Sequence, residues 1–206
     1  MIPITLIIIG ITILVSILAF NNDQWMRKLI MNPYLVANKN QFYRTVSSGF
    51  VHANWMHLGF NMFAFFFFGR VVESYFYQIL GGKSTLVFVV FYLTAIVASD
   101  FITIFRHRNN PNYNSLGASG AVSAIVFTSI LYAPLNNIYI YFIKMPGFIF
   151  GLIYVAYSYW QSKNEGSGIN HDAHLFGAIY GIIFGIIVYP DSAGGFIEQI
   201  LQYRIF

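Results

Sequence analysis

Residues 171–185 read HDAHLFGAIYGIIFG, and the chain then stays uncharged to Tyr189. A run this apolar is long enough to enter the hydrocarbon layer of a bilayer, where every backbone polar group must be bonded internally. Helix is therefore the expected form. Gly177, Gly181 and Gly185 recur every fourth position and so share one helical face. A face of glycines lets a second helix approach unusually closely. His174, three residues before Gly177, rides at the edge of that contact and enters the membrane with it.

The rest of the chain agrees with a membrane setting. Of 206 residues, 57% are hydrophobic and 19% aromatic, with only 9% charged. Mean hydropathy is +0.63. Soluble domains carry about a quarter charged residues, so a water-soluble globule is excluded, and disorder is excluded by the aromatic content. The absence of cysteine rules out a disulfide, a thiolate metal site and a cysteine nucleophile. The 11 Lys and Arg behind the net charge of +4 are scattered singly between apolar runs. They read as headgroup contacts and topology markers, with no nucleic-acid patch.

Uncharged stretches predict six spans: Ile2–Phe20, Val51–Gly69, Ser84–Phe105, Gly117–Tyr132, Phe148–Trp160 and His171 (or Ala173)–Tyr189. The first could be a signal peptide, but it lacks a basic leader and an A-x-A site, so it is read as a span. Asn21–Arg44, mixing aromatics with cations, is expected as a long interfacial loop. Arg70 to Lys83 is expected as a turn, Arg106–Ser115 and Gln161–Asn170 as polar loops, and Ile138–Phe142 as an interfacial turn. Phe196, Ile197, Ile200, Leu201 and Ile205 fall at helical spacing and predict an amphipathic tail helix within 191–206. The fold class is all-α, a polytopic bundle of six transmembrane helices, with residues 1–206 as one domain.

Polar residues inside spans are costly and need partners. They fall in three places here. FVHANWMHLGFNM (50–62) carries His52, His57 and Asn61, the last two one turn apart on a single face. GASG (117–120) opens span four. Taken alone it fits close helix packing as well as catalysis, but the glycines leave the Ser119 hydroxyl accessible and a helix N-terminus favours developing negative charge. His174 is the third. If spans four and six touch, His174 reaches Ser119, and a histidine out of water favours its neutral form, as a general base requires. Asp172 points to another side of the helix, and Glu73 and Asp100 belong to other segments, leaving a Ser–His dyad without a carboxylate.

These residues resemble the rhomboid intramembrane serine proteases. The match rests on FYRTVSSGFVHANWMHLGFNM (42–62), GASG (117–120) and AHLFGAIYGIIFG (173–185), in the family's order, with the turn around Gly69 and Glu73. It covers about Pro33–Gly185, and the family core is taken as 33–189. The resemblance implies Ser119 as nucleophile, His174 as general base, and an oxyanion hole of the Ser119 N–H, His57 and Asn61. It implies a supporting role for His52, an Arg44 that ties down the first loop, and a Gly177 that lets spans four and six meet, with Gly117 and Gly120 flanking the nucleophile. The implied substrate is a transmembrane helix that can locally unwind, with no cofactor and no metal. The loop 21–44 and the segment 148–160 are candidates for lateral gating. An aromatic residue often follows the family's serine by four positions and packs on the base; here that position is Ser123. Tyr43 stands where a Trp is common.

With the N-terminus inside, seven of the 11 Lys and Arg lie outside, against the positive-inside rule. The family's usual arrangement is N-inside with the site opening outward, and that orientation is expected here, in a bacterial plasma (inner) membrane. Rival readings are a rhomboid-like pseudoenzyme that binds membrane helices without cutting them, a di-iron site built on His52/His57 and His171/His174, and a transporter. The five histidines fall short of a di-iron set, and paired broken helices are missing for a transporter.

Overall fold

The computed structural model describes residues 2–140, 142–163 and 169–204. Helix α1 spans Ile4–Phe20, and the stretch after it forms three short helices, α2 (Asp23–Leu29), α3 (Pro33–Lys39) and α4 (Arg44–Ser47). Asn22 and Asn32 explain the first two. Each side chain accepts from the first-turn amides of the helix it precedes, and Pro33 occupies the first turn of α3, where no amide is needed. The expected interfacial loop is thus helical in pieces, because capping residues punctuate it. A bridge between Met31 and Ser115 and the bond from Asn32 Nδ2 to the Pro111 carbonyl (2.9 Å) fasten it to the loop ahead of the glycine–serine motif.

Helix α5 (Trp55–Leu80) is longer than the expected span two. Arg70 and Glu73 lie inside it, and the turn is confined to Gly81–Lys83, where Gly81 takes φ +56°. Glu73 can stay in the helix because its carboxylate accepts from the amides of Ile4 (2.8 Å) and Thr5 (3.3 Å) and from the Thr5 hydroxyl (2.7 Å). A carboxylate at a helix N-terminus is electrostatically favoured. The expected span three is divided at Asp100 into α6 (Ser84–Ser99) and α7 (Phe101–His107). Asn170 answers the break. Its side chain caps the next-to-last major helix at Ala173 N and donates to Thr103 Oγ1 (3.0 Å) and Asp100 Oδ1 (3.4 Å).

Helix α8 (Ser119–Tyr132) is the centre of the bundle: every residue after Ser119 is buried. A two-stranded antiparallel hairpin, β1 (Asn137–Ile140) with β2 (Ile143–Pro146), replaces the expected turn at 138–142. Then come α9 (Gly147–Ser162), α10 (His171–Val188) and α11 (Ser192–Gln202), the last in the place of the tail helix. Ile205 and residues 164–168 of the loop before α10 lie outside the described residues. Among the described residues, Trp55–His107 and His171–Val188 are long and apolar enough in helical form to cross a membrane, while α1 and α8 are apolar but shorter.

An aromatic layer fills the space between α5, α6 and α10. Phe65 stacks on Tyr92 (5.0 Å between centroids) and Phe91 on Phe184 (4.6 Å), all but Phe184 fully buried. The run at 65–68 divides by helical angle: Phe65 is inside, and Phe66 and Phe67 point outward beside Phe60 and Phe63.

Candidate active site

Three segments meet at the N-terminal ends of α8 and α10. The seam between these two helices is backbone on backbone. A Cβ placed on Gly177 would lie 2.9 Å from the Gly120 carbonyl carbon and 3.2 Å from its Cα, and closer still to its oxygen. Gly181 abuts the Ala124 carbonyl in the same way. Further along, Thr128 Oγ1 donates to the Gly181 carbonyl and Tyr132 Oη to that of Gly185, both at 2.8 Å. Carbonyls that lipid could not solvate gain partners there. Ser119 immediately precedes Gly120, and His174 stands one turn before Gly177, so both occupy the same end of the contact.

The loop into α8 is shaped by Gly117, whose φ of +116° suits glycine alone; a Cβ there would strike His57 Cε1 at 2.6 Å. The His57 imidazole therefore lies against the glycine–serine loop. Asn61, one turn on and buried, gives one amide hydrogen to the His57 carbonyl (3.0 Å), which leaves the other for a ligand. His52 is fully buried, edge-on to His57 at 5.0 Å between centroids. Its Nε2 accepts from the Ala118 amide (3.4 Å), which assigns the proton to Nδ1, donated to Ser16 Oγ (3.0 Å); Ser16 in turn donates to the Phe50 carbonyl (3.0 Å). The Gly117 amide is bound by the Ser48 carbonyl. The amides of Ser119 and Gly120 come before the first bond of the α8 ladder, from Val122 to Ala118, and so belong to the unladdered first turn.

His174 Nε2 is buried with no hydrogen-bond partner among the described residues. Asp172 pairs with Arg106. His171 is also buried, its ring 5.5 Å from that of His174. Arg44 is buried and donates to the carbonyls of Arg27 and Ile30 (both 2.8 Å) and to Gln41 Oε1 (2.6 Å), tying α4 to the segment around α2. A polar cavity of about 10 Å³, the size of one water, borders Ser119 among Ser99, Asp100, Ser115 and Asn170.

Ser123 bonds to Tyr154 Oη of α9. The Tyr154 ring faces that of His174, with centroids 6.1 Å apart and planes at 28°. Sequence reasoning missed Tyr154 and Ser16. The signal for Tyr154 was a hydroxyl where a ring was expected, with three tyrosines at 154–159 available in span five. The signal for Ser16 was a lone polar residue late in the first apolar run.

The Rhomboid domain family matches residues 39–191. Among individual proteins, the chain is 25% identical over 177 residues to the mitochondrial RHOMBOID-like protein 12 of Arabidopsis thaliana, covering 76% of this chain and 49% of that one. It is 28% identical over 170 residues to the chloroplastic Rhomboid-like protein 11 of the same plant, covering 75% and 55%. With the rhomboid protease GlpG of Haemophilus influenzae identity is 26% over 188 residues, covering 89% and 90%. The chain thus spans about half the length of the two plant relatives.

Proposed function

Because the chain belongs to the rhomboid family, we propose that it is an intramembrane serine endopeptidase that cuts transmembrane-helix substrates with a Ser119–His174 dyad. The observation that carries the reading is the contact of Gly177 with the Gly120 backbone, which puts the hydroxyl and the imidazole at one end of two touching helices. In the reaction, Ser119 Oγ attacks a peptide carbonyl carbon as His174 takes its proton. The resulting oxyanion accepts from the Ser119 N–H, His57 and Asn61. The C–N bond then breaks, and His174 returns the proton to the leaving amine. Water, deprotonated by His174, hydrolyses the acyl-serine and frees the enzyme.

Depth follows from length. Fourteen residues of α8 extend about 21 Å, against a hydrocarbon layer of about 30 Å. If Tyr132 ends near one face, Ser119 lies below the other, and the small polar cavity beside it offers water a place at that depth. Six crossings, with the site opening outward, complete the proposal. The chain is an integral membrane protein; two of its relatives are named mitochondrial and chloroplastic, so the expected bacterial plasma membrane is not supported.

The test is labelling of the full chain in liposomes with a fluorophosphonate, alongside cleavage of a single-span test substrate. We expect one label per chain, at Ser119, and a cut in the substrate span. A folded chain that binds the substrate yet takes no label would instead be a helix-binding pseudoenzyme.

Asn61 supplies a second check. In the proposed oxyanion hole its remaining amide hydrogen meets charge that develops only in the tetrahedral state. Such donors are worth about 2.7–4 kcal/mol, so Asn61→Ala lowers kcat by roughly 10²–10³-fold and leaves KM near the parent value. A defect confined to KM removes Asn61 from the oxyanion hole.

A further inference from the structure

Among the described residues, no carboxylate bonds to His174. Asp172, the nearest acid in sequence, is held by Arg106, and Nε2 has no partner among the described residues. What lies against the imidazole is therefore what sets its plane. On one side is the edge of His171. The Tyr154 ring meets it nearly face to face, and that ring is itself fixed. Its hydroxyl bonds to Ser123 of α8, and it packs at 5.4 Å on Phe127 and at 5.8 Å on Phe150. Helix α9 also meets α10, where the Tyr157 ring lies across that of His171 at 5.8 Å between centroids, and it buries Gly147, Gly151 and Ser158, while Leu152, Ile153, Val155, Tyr159 and Trp160 face outward.

Resting on the hydrolase reading above, we propose that Tyr154 is a positioning residue: packed on Phe127 and Phe150, its ring holds His174 in the plane that faces Ser119. The base is then in register only while α9 is seated on α8. A helix that prised α9 from α8 would carry the ring with it and leave the imidazole free to turn. Hydroxyl and base thus sit on α8 and α10, but their alignment belongs to a third helix.

The variants to compare are Tyr154→Phe, which keeps the ring and drops the hydroxyl, and Tyr154→Leu, which keeps apolar bulk and drops the ring. Misplacing a reacting group by about 1 Å costs about 100-fold, and a freed ring still visits the right orientation. We therefore expect Tyr154→Leu to lose roughly tenfold or more in kcat with KM changed less than about twofold. Tyr154→Phe should stay within about threefold of the parent in both. A signature independent of turnover is the NMR shift of the His174 ring protons in isotope-labelled full chain: Tyr154→Leu moves them, and Tyr154→Phe leaves them in place. Should Tyr154→Leu fail to fold, Tyr154→Met, whose flexible chain fills irregular space, takes its place.

Unchanged kcat in the ringless variant, equal losses in Leu and Phe, or an unmoved His174 signal would each overturn the proposal. The parent chain is read first with the fluorophosphonate. If it takes no label, the hydrolase reading itself fails; if it labels and Tyr154→Leu labels as fast, only the positioning role does.

Discussion

Ser119→Ala and His174→Ala are each expected to lower kcat by about 10⁴-fold or more, and the double variant to be no slower than the worse single. The reason is that in the proposed dyad the two side chains act as one unit. Without the imidazole the hydroxyl keeps its proton, and without the hydroxyl the imidazole has nothing to activate. Independent contributions would multiply, whereas members of a proton-transfer pair do not. The substitutions are also structurally mild. Ser119 is the one residue of α8 that is not buried, and His174 Nε2 makes no hydrogen bond among the described residues that the change would break. Folding, followed by helical signal and thermal midpoint, should therefore hold in both. The decisive measurement is turnover of the single-span substrate in liposomes. If Ser119→Ala still cuts at the parental site, the serine-protease reading is wrong, and a multiplicative double variant would mean that His174 acts on something other than Ser119.

Legibility in the sequence follows from what produces each feature. The α8–α10 seam was readable because glycine at every fourth position has one strong physical consequence, a bare helical face, and the structure places Gly177 and Gly181 against α8 backbone. Helix positions were readable because apolar runs longer than a helical turn have little alternative in lipid. Their ends were harder. Charge at Arg70 and Glu73 looked like a turn, yet Glu73 is satisfied by amides of α1, 69 positions away in sequence. Capping by Asn22, Asn32 and Asn170 is local chemistry within reach of a sequence reading, and it accounts for the helices in the first loop and the start of α10. The hidden part is tertiary. Ser16 supports His52 across 36 positions, and Tyr154 reaches both Ser123 and His174 from a helix whose angle no periodicity reveals. That α8 is enclosed on every side was likewise unreadable, since a buried helix and a lipid-facing one have similar composition.

Gly177→Ala tests the seam with a single methyl group. Overpacking a core by a methylene or so commonly costs about 1–3 kcal/mol, because side chains shift to absorb it. Here the obstacle is the Gly120 peptide itself, one residue from Ser119. Backbone cannot rotate out of the way, so the helices must separate, and the displacement falls between the proposed nucleophile and base. A shift of about 1 Å at reacting groups costs about 100-fold, so kcat should fall by at least that factor. Stability should fall by only about 1–3 kcal/mol. Gly10→Ala is the control: a Cβ there meets nothing within 4 Å, and neither activity nor stability should drop. The comparison separates a seam from a general intolerance of helix substitutions. Turnover of Gly177→Ala near the parent value, in a folded chain, would mean that Ser119 and His174 do not depend on that contact, and the dyad would have to be held together some other way.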